Sequence, residues 1–214
     1  MKKEEMDSII SQAKEIGEYS STKLFIAAIK SLCPNRKSIF RILIFTFIAL
    51  AIAVSLALLN ETNSKIIKVI ELINSVDLVI LGLVFTGYTL FQAILKKELL
   101  RTLLASDEDS NQTSTFVRVD RSFYYLMSLY FLNICLNILG LIFLIIVGGK
   151  WVLIPHNILL SNAFFVIISV PYLTYSLLVI WEIKFFIYNL SELFNLNIKQ
   201  LMLNIIKESE NEDK

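Results

Sequence analysis

The sequence predicts an all-α integral membrane protein, with four transmembrane helices arranged as two hairpins, both termini in the cytosol, and amphipathic helical extensions on the cytosolic side. Three observations predict it. Hydrophobic residues make up 56% of the 214-residue chain and charged residues only 18%, a balance that belongs to membrane proteins. Four apolar runs, each of about 20 residues or more, are long enough as helices to cross a hydrocarbon layer about 30 Å thick. When successive connections are assigned to alternate sides, 17 of the 20 Lys and Arg residues fall on one side, and positive charge is retained in the cytosol during insertion. A spanning barrel would alternate over segments of about ten residues, whereas these runs are apolar on all sides.

Residues 1–38 form the first cytosolic segment. Met6, Ile9, Ile10, Ala13 and Ile16 repeat at helical spacing with charges opposite them, the pattern of an amphipathic helix. Glu4, Glu5, Glu15 and Glu18 dilute its basic face, so a partner helix is the expected target rather than lipid alone. A second piece, residues 23–32, ends before Cys33 and Pro34 and is expected to rest in the interface beside Lys30, Arg36 and Lys37. The first apolar run starts after this charged segment and reads as a retained span, not a cleaved signal.

Residues 39–95 form the first transmembrane hairpin. Its first span, residues 39–59, carries Thr46, Ala49, Ala53 and Ala57 along one side, a ladder of small residues that lets a neighbouring backbone approach closely. Residues 65–75 are amphipathic, with Ile66, Ile67, Ile70 and Ile73 against Lys68 and Glu71, and the second span follows over 76–95. The two are either one continuous helix or an interfacial piece meeting a span near Asn74 and Ser75. Asp77, in the first turn of that span, is expected to sit hydrated at the membrane edge, with a buried ion-binding role as the alternative. Gly82, Thr86, Thr89 and Ala93 give this span a small-residue face.

Residues 96–121 form a cytosolic helix and an acidic loop. Leu99, Leu100, Leu103 and Leu104 make a stripe beside Lys96, Lys97, Glu98 and Arg101. Asp107, Glu108 and Asp109 lack the alternating ligands and glycine turn of a calcium loop and read as a solvated connection.

Residues 122–181 form the second hairpin, and residues 122–149 contain no charge at all. Phe123, Tyr124 and Tyr125 open the third span as an aromatic belt, and Trp151 marks the opposite interface. Between them Tyr130, Asn133, Asn137 and Gly140 recur on one helical face, where lipid cannot satisfy the amides. His156, the single histidine, is expected to be an exposed loop residue, with external pH sensing as the alternative. Along the fourth span Asn162, Ser169, Tyr172 and Ser176 share a face, and Pro171 predicts a kink by removing a hydrogen bond to the carbonyl of Ile167. The cytosolic tail, residues 182–214, repeats Ile183, Ile187, Leu190, Phe194, Leu201 and Ile205 at helical spacing. Asn197 followed by Gln200 resembles a capping box, which predicts a separate final helix from there.

No nucleophile paired with a base, metal cluster, pair of acids or phosphate cradle stands out, so the chain reads as non-enzymatic, without cofactor or metal. Cys33 and Cys135 suggest no disulfide framework, and a net charge of +1 offers no field for direct nucleic-acid binding. No span is expected to carry a mid-membrane carboxylate or histidine, which weighs against a coupled transporter. The expected function is a four-span membrane subunit that anchors, senses for or assembles cytosolic partners, with the lipid bilayer, further copies of itself and a cytosolic protein as its partners. The alternative is an oligomeric channel or membrane-permeabilising effector, with Asn133 and Asn137 lining a path. The abundance of Ile, Asn and Lys points to an AT-rich prokaryotic genome and hence a bacterial cytoplasmic membrane. Small four-span proteins of this build occur among the membrane components of bacterial stress and phage-defence operons, which adds antiviral defence to the expectations.

Overall fold

The computed structural model describes residues 39–59, 61–95, 115–147 and 158–212, with a few helical positions between residues 22 and 30. The amphipathic pattern of residues 6–16, the leucine stripe and acidic loop of 96–111, Trp151 and His156 lie outside the described residues. Among the described residues every regular element is helical: α1 (Ile39–Ala57), α2 (Thr62–Ile94), α3 (Thr115–Val147), α4 (Ile158–Trp181) and α5 (Ile183–Glu212). Four stretches, Ile39–Ala57, Thr62–Ile94, Phe116–Ile146 and Ile158–Lys199, are long and apolar enough to cross a membrane. The chain therefore has the make-up of a multi-pass membrane protein.

Two boundaries differ from the sequence reading, and one alternative left open there is decided. The amphipathic stretch before residue 76 and the span after it are one helix of 33 residues, α2, about 50 Å long at 1.5 Å per residue. α3 starts at Thr115, ahead of the uncharged run. No break occurs at Asn197, which lies inside α5. Asparagine in a helix interior costs only about 0.7 kcal/mol, and the buried Phe186 and Leu193 hold α5 in place upstream. The connection from α1 to α2 is tight: Leu58 N–H donates to Val54 O (3.1 Å), and Thr62 Oγ1 donates to Leu59 O (2.8 Å). Between α4 and α5 only Glu182 departs from the helix, its N–H shared by the carbonyls of Leu178 (3.2 Å) and Val179 (3.1 Å).

The residues gather into two compact units. The first takes in Ile29–Gly82 and Ser128–Ile183. Within it Ala49 and Ala53 of α1 are completely buried, in one cluster with Ile73 of α2 and Leu173 of α4. The missing side-chain bulk is what brings α1 close to its neighbours. A second cluster joins Leu56, Ala57, Ile66, Ile70, Leu144 and Phe165, so all four helices contribute to it. At the opposite end of α1, Arg41 Nη1 donates to Glu182 Oε1 at 3.0 Å, and Phe45 meets the Trp181 ring edge-on at 5.6 Å. Large apolar side chains such as Phe47 (74% exposed) and Leu159 (80%) point outward. Hydrocarbon is the solvent in which such a surface carries no penalty.

The second unit takes in Leu83–Met127 and Lys184–Lys214, with the described part of Met1–Ala28. Its core is aromatic: Phe91 stacks on Phe123 at 5.7 Å, and Phe123 meets Phe186 edge-on at 5.9 Å. Gly87 makes room for this packing, because a Cβ there would stand 2.5 Å from the Phe186 ring. Asn189 Nδ2 donates to Ser122 Oγ (2.8 Å), tying α5 to α3.

Candidate functional site

The buried positions of α2 advance in alternating steps of three and four residues: Asn63, Ile66, Ile70, Ile73, Asp77, Ile80, Val84, Gly87 and Phe91. Such a seam is what a helix presents when it packs lengthwise against neighbours. Asp77 occupies it in phase with the isoleucines. It stands midway along a helix long enough to span, and its exposure is 0%. α3 has a matching seam through Phe123, Leu126, Tyr130, Asn133, Asn137 and Leu144.

These two seams and one face of α4 meet in a closed polar cluster. Asp77 Oδ2 accepts from Asn133 Nδ2 at 2.6 Å and from Asn137 Nδ2 at 2.9 Å. Each amide is then completed from α4: Ser176 Oγ donates to Asn133 Oδ1 at 3.1 Å, and Tyr172 OH donates to Asn137 Oδ1 at 2.6 Å. One turn away Tyr130 OH donates to the Val179 carbonyl at 3.0 Å. A primary amide suits this position because it can donate to the acid and accept from the hydroxyl at once.

The register of α3 on α4 explains why the groups coincide. Tyr130 meets Val179, Asn133 meets Ser176 and Asn137 meets Tyr172. Gly140 and Ser169 then line one cavity, and Leu144 and Phe165 share one core cluster. Each step forward on α3 is matched by an equal step back on α4, so a polar face on one helix meets the polar face of the other rung for rung. The cavity beside the last rungs has a volume of about 180 Å³ and is walled mainly by Ile66, Ile70, Leu136, Phe143 and Phe165.

Of the residues singled out from the sequence, Tyr130, Asn133, Asn137, Tyr172 and Ser176 come together here, and Gly140 and Ser169 border the cavity. Asn162 is half-buried and lies about 15 Å along α4 from Tyr172. Pro171 is inside α4 with its side chain exposed. Asp77 is the residue whose setting the sequence reading misplaced. Placing the span boundary at residue 76 put Asp77 at a membrane edge, and with it came the expectation that no span carries a central carboxylate. The burial of Asp77 overturns the expectation that it is hydrated. The signal was present in the spacing, since Asp77 falls on the heptad beat of Ile66, Ile70, Ile73 and Ile80.

Among the described residues of this unit, the remaining charges stand elsewhere. Lys65, Lys68 and Glu71 are exposed, and Arg41 is paired with Glu182. The carboxyl of Asp77 is therefore held by two amide N–H groups and, among the described residues, by no cation. Such an arrangement can organise helices and can bind a small charge, but it contains no nucleophile poised beside a base. No known protein family, curated protein or solved structure matches the chain.

Proposed function

We propose that the chain is a non-enzymatic four-span subunit that anchors, senses for or assembles cytosolic partners in a bacterial cytoplasmic membrane. The observation that carries this reading is the mutual pairing of the uncharged polar side chains in the cluster. Asn133, Asn137, Tyr172 and Ser176, the uncharged polar side chains a path would need, bond to one another and to Asp77. Amides spent in this way join helices and do not solvate a passing ion. The cytosolic placement of both termini is supported by the charge bias of 17 in 20 Lys and Arg residues. The Arg41–Glu182 pair joins the start of α1 to the end of α4, which fits both termini lying on one shared side.

Self-association is part of the proposal. Ile198, Leu201, Met202, Ile205 and Ile206 of α5 are exposed, and an apolar stripe of that length on a polar helix calls for a cover, which symmetry-related copies supply most simply.

The test uses purified full-length protein in liposomes. Ion flux no greater than in empty liposomes is expected, together with chemical crosslinking into a defined oligomer that weakens when residues 197–214 are deleted. Flux that appears with the protein and falls in the Asn133→Leu/Asn137→Leu variant would overturn the anchor reading in favour of a channel.

A further inference from the structure

We propose that Asp77 is an intramembrane proton-binding site, its Oδ1 taking a proton from water and releasing it again while Oδ2 stays held by Asn133 and Asn137. The two carboxyl oxygens stand in unequal settings. Oδ2 accepts two amide N–H groups, whereas among the described residues Oδ1 has no hydrogen-bond partner. The whole side chain is 0% exposed. A buried acceptor in that position is completed by a proton, which turns it into a donor, or by a metal ion.

The cluster selects the proton. A hard cation asks for about six oxygen ligands, and here the Asn133 and Asn137 carbonyls are already taken by Ser176 and Tyr172. One turn earlier on α2 the Asn74 Oδ1 is likewise buried without a partner. Proton uptake forms one O–H bond at Oδ1 and neutralises the site, and release returns the proton to water.

The groups around the site leave that charge change to Asp77. The titratable groups interacting with Asp77 are Tyr130 of α3 and Tyr172 of α4; α3 also carries the half-buried Cys135, α4 carries Tyr175, and Glu182 follows the end of α4. α1 contributes only Arg41, which is committed to Glu182, and on α2 itself Lys65, Lys68 and Glu71 are exposed. The inference stands on the cluster alone and goes beyond the anchor reading, so either can fail without the other.

The experiment is difference infrared spectroscopy of the full-length protein in lipid nanodiscs across a pH titration. A protonated-carboxyl C=O band is expected to persist above the pH at which exposed carboxyl groups ionise and to be lost on raising the pH further. It should move to lower frequency when aspartate carries carboxyl ¹³C, and stay in place with ¹³C-glutamate. Asp77→Asn, whose amide reproduces the protonated geometry, should keep its helical circular dichroism and lack the band that persists above the pH at which exposed carboxyl groups ionise. Sodium chloride at fixed pH should leave the band unchanged. Absence of any ¹³C-aspartate-sensitive band, persistence of the band in a folded Asp77→Asn variant, or its removal by sodium would each overturn the proposal.

Discussion

At the scale of single residues, the energetics of the cluster rest on completeness. Asn133 and Asn137 each use donor and acceptor together, so removing either side chain strands a partner on both sides of it. An unsatisfied buried polar group costs about 1–3 kcal/mol, and a bare carboxylate more. Asn133→Leu together with Asn137→Leu should therefore destabilise the protein by at least about 2–5 kcal/mol, read by thermal unfolding in mild detergent. Asn162→Leu, a half-buried residue away from the cluster, should change stability by less than about 0.5 kcal/mol. Equal effects from the two would mean that the central amides are not holding the helices. Tyr130, Asn133 and Asn137 were legible in the sequence as one face of a helix, because intervals of three and four residues declare a face. What that face met was not legible.

At the scale of elements, two glycines of α2 separate propensity from packing. Gly87 faces Phe186, and a methyl group there would stand 2.5 Å from the ring, whereas Gly82 has nothing within 4 Å of its missing Cβ. Gly87→Ala should force the ring out of its place against Phe123 and cost about 1–3 kcal/mol. Gly82→Ala should be neutral or stabilise by up to about 1 kcal/mol, since alanine is the better helix former. Both are read by thermal unfolding, and a neutral Gly87→Ala would mean that Phe186 rearranges without loss. The same helix shows where reading elements from sequence falls short. Lys65, Lys68 and Glu71 near its start made residues 65–75 look interfacial, yet they project from the exposed side of a helix whose other side runs buried from Asn63 to Phe91.

At the scale of the whole molecule, the asymmetry of charge is carried by the connections and the helix ends beyond the apolar runs. On the proposed topology, single cysteines placed by Glu61→Cys and His156→Cys in a background without Cys33 and Cys135 should react with a membrane-impermeant maleimide on intact cells. Cysteines placed by Ser8→Cys, Ser110→Cys and Ser209→Cys should react only after permeabilisation. Labelling of Ser110→Cys on intact cells would overturn the four-span arrangement, since the central connection then lies outside.

The amino-acid sequence by itself determined the all-helical class and the four helices long and apolar enough to cross a membrane. Uncharged length and all-round apolarity are additive along the chain, and a bilayer reads them segment by segment. It also determined the small-residue and polar faces, which follow from helical periodicity alone. Only the tertiary structure decided that the Asn133 and Asn137 face meets Tyr172 and Ser176 in register, and that Asp77 supplies the acceptor between them. The physical reason is that register between helices is set by packing over their full length. The buried alanines of α1 and the three-and-four seams of α2 and α3 hold the helices where those polar groups meet, and no local window of sequence contains that information.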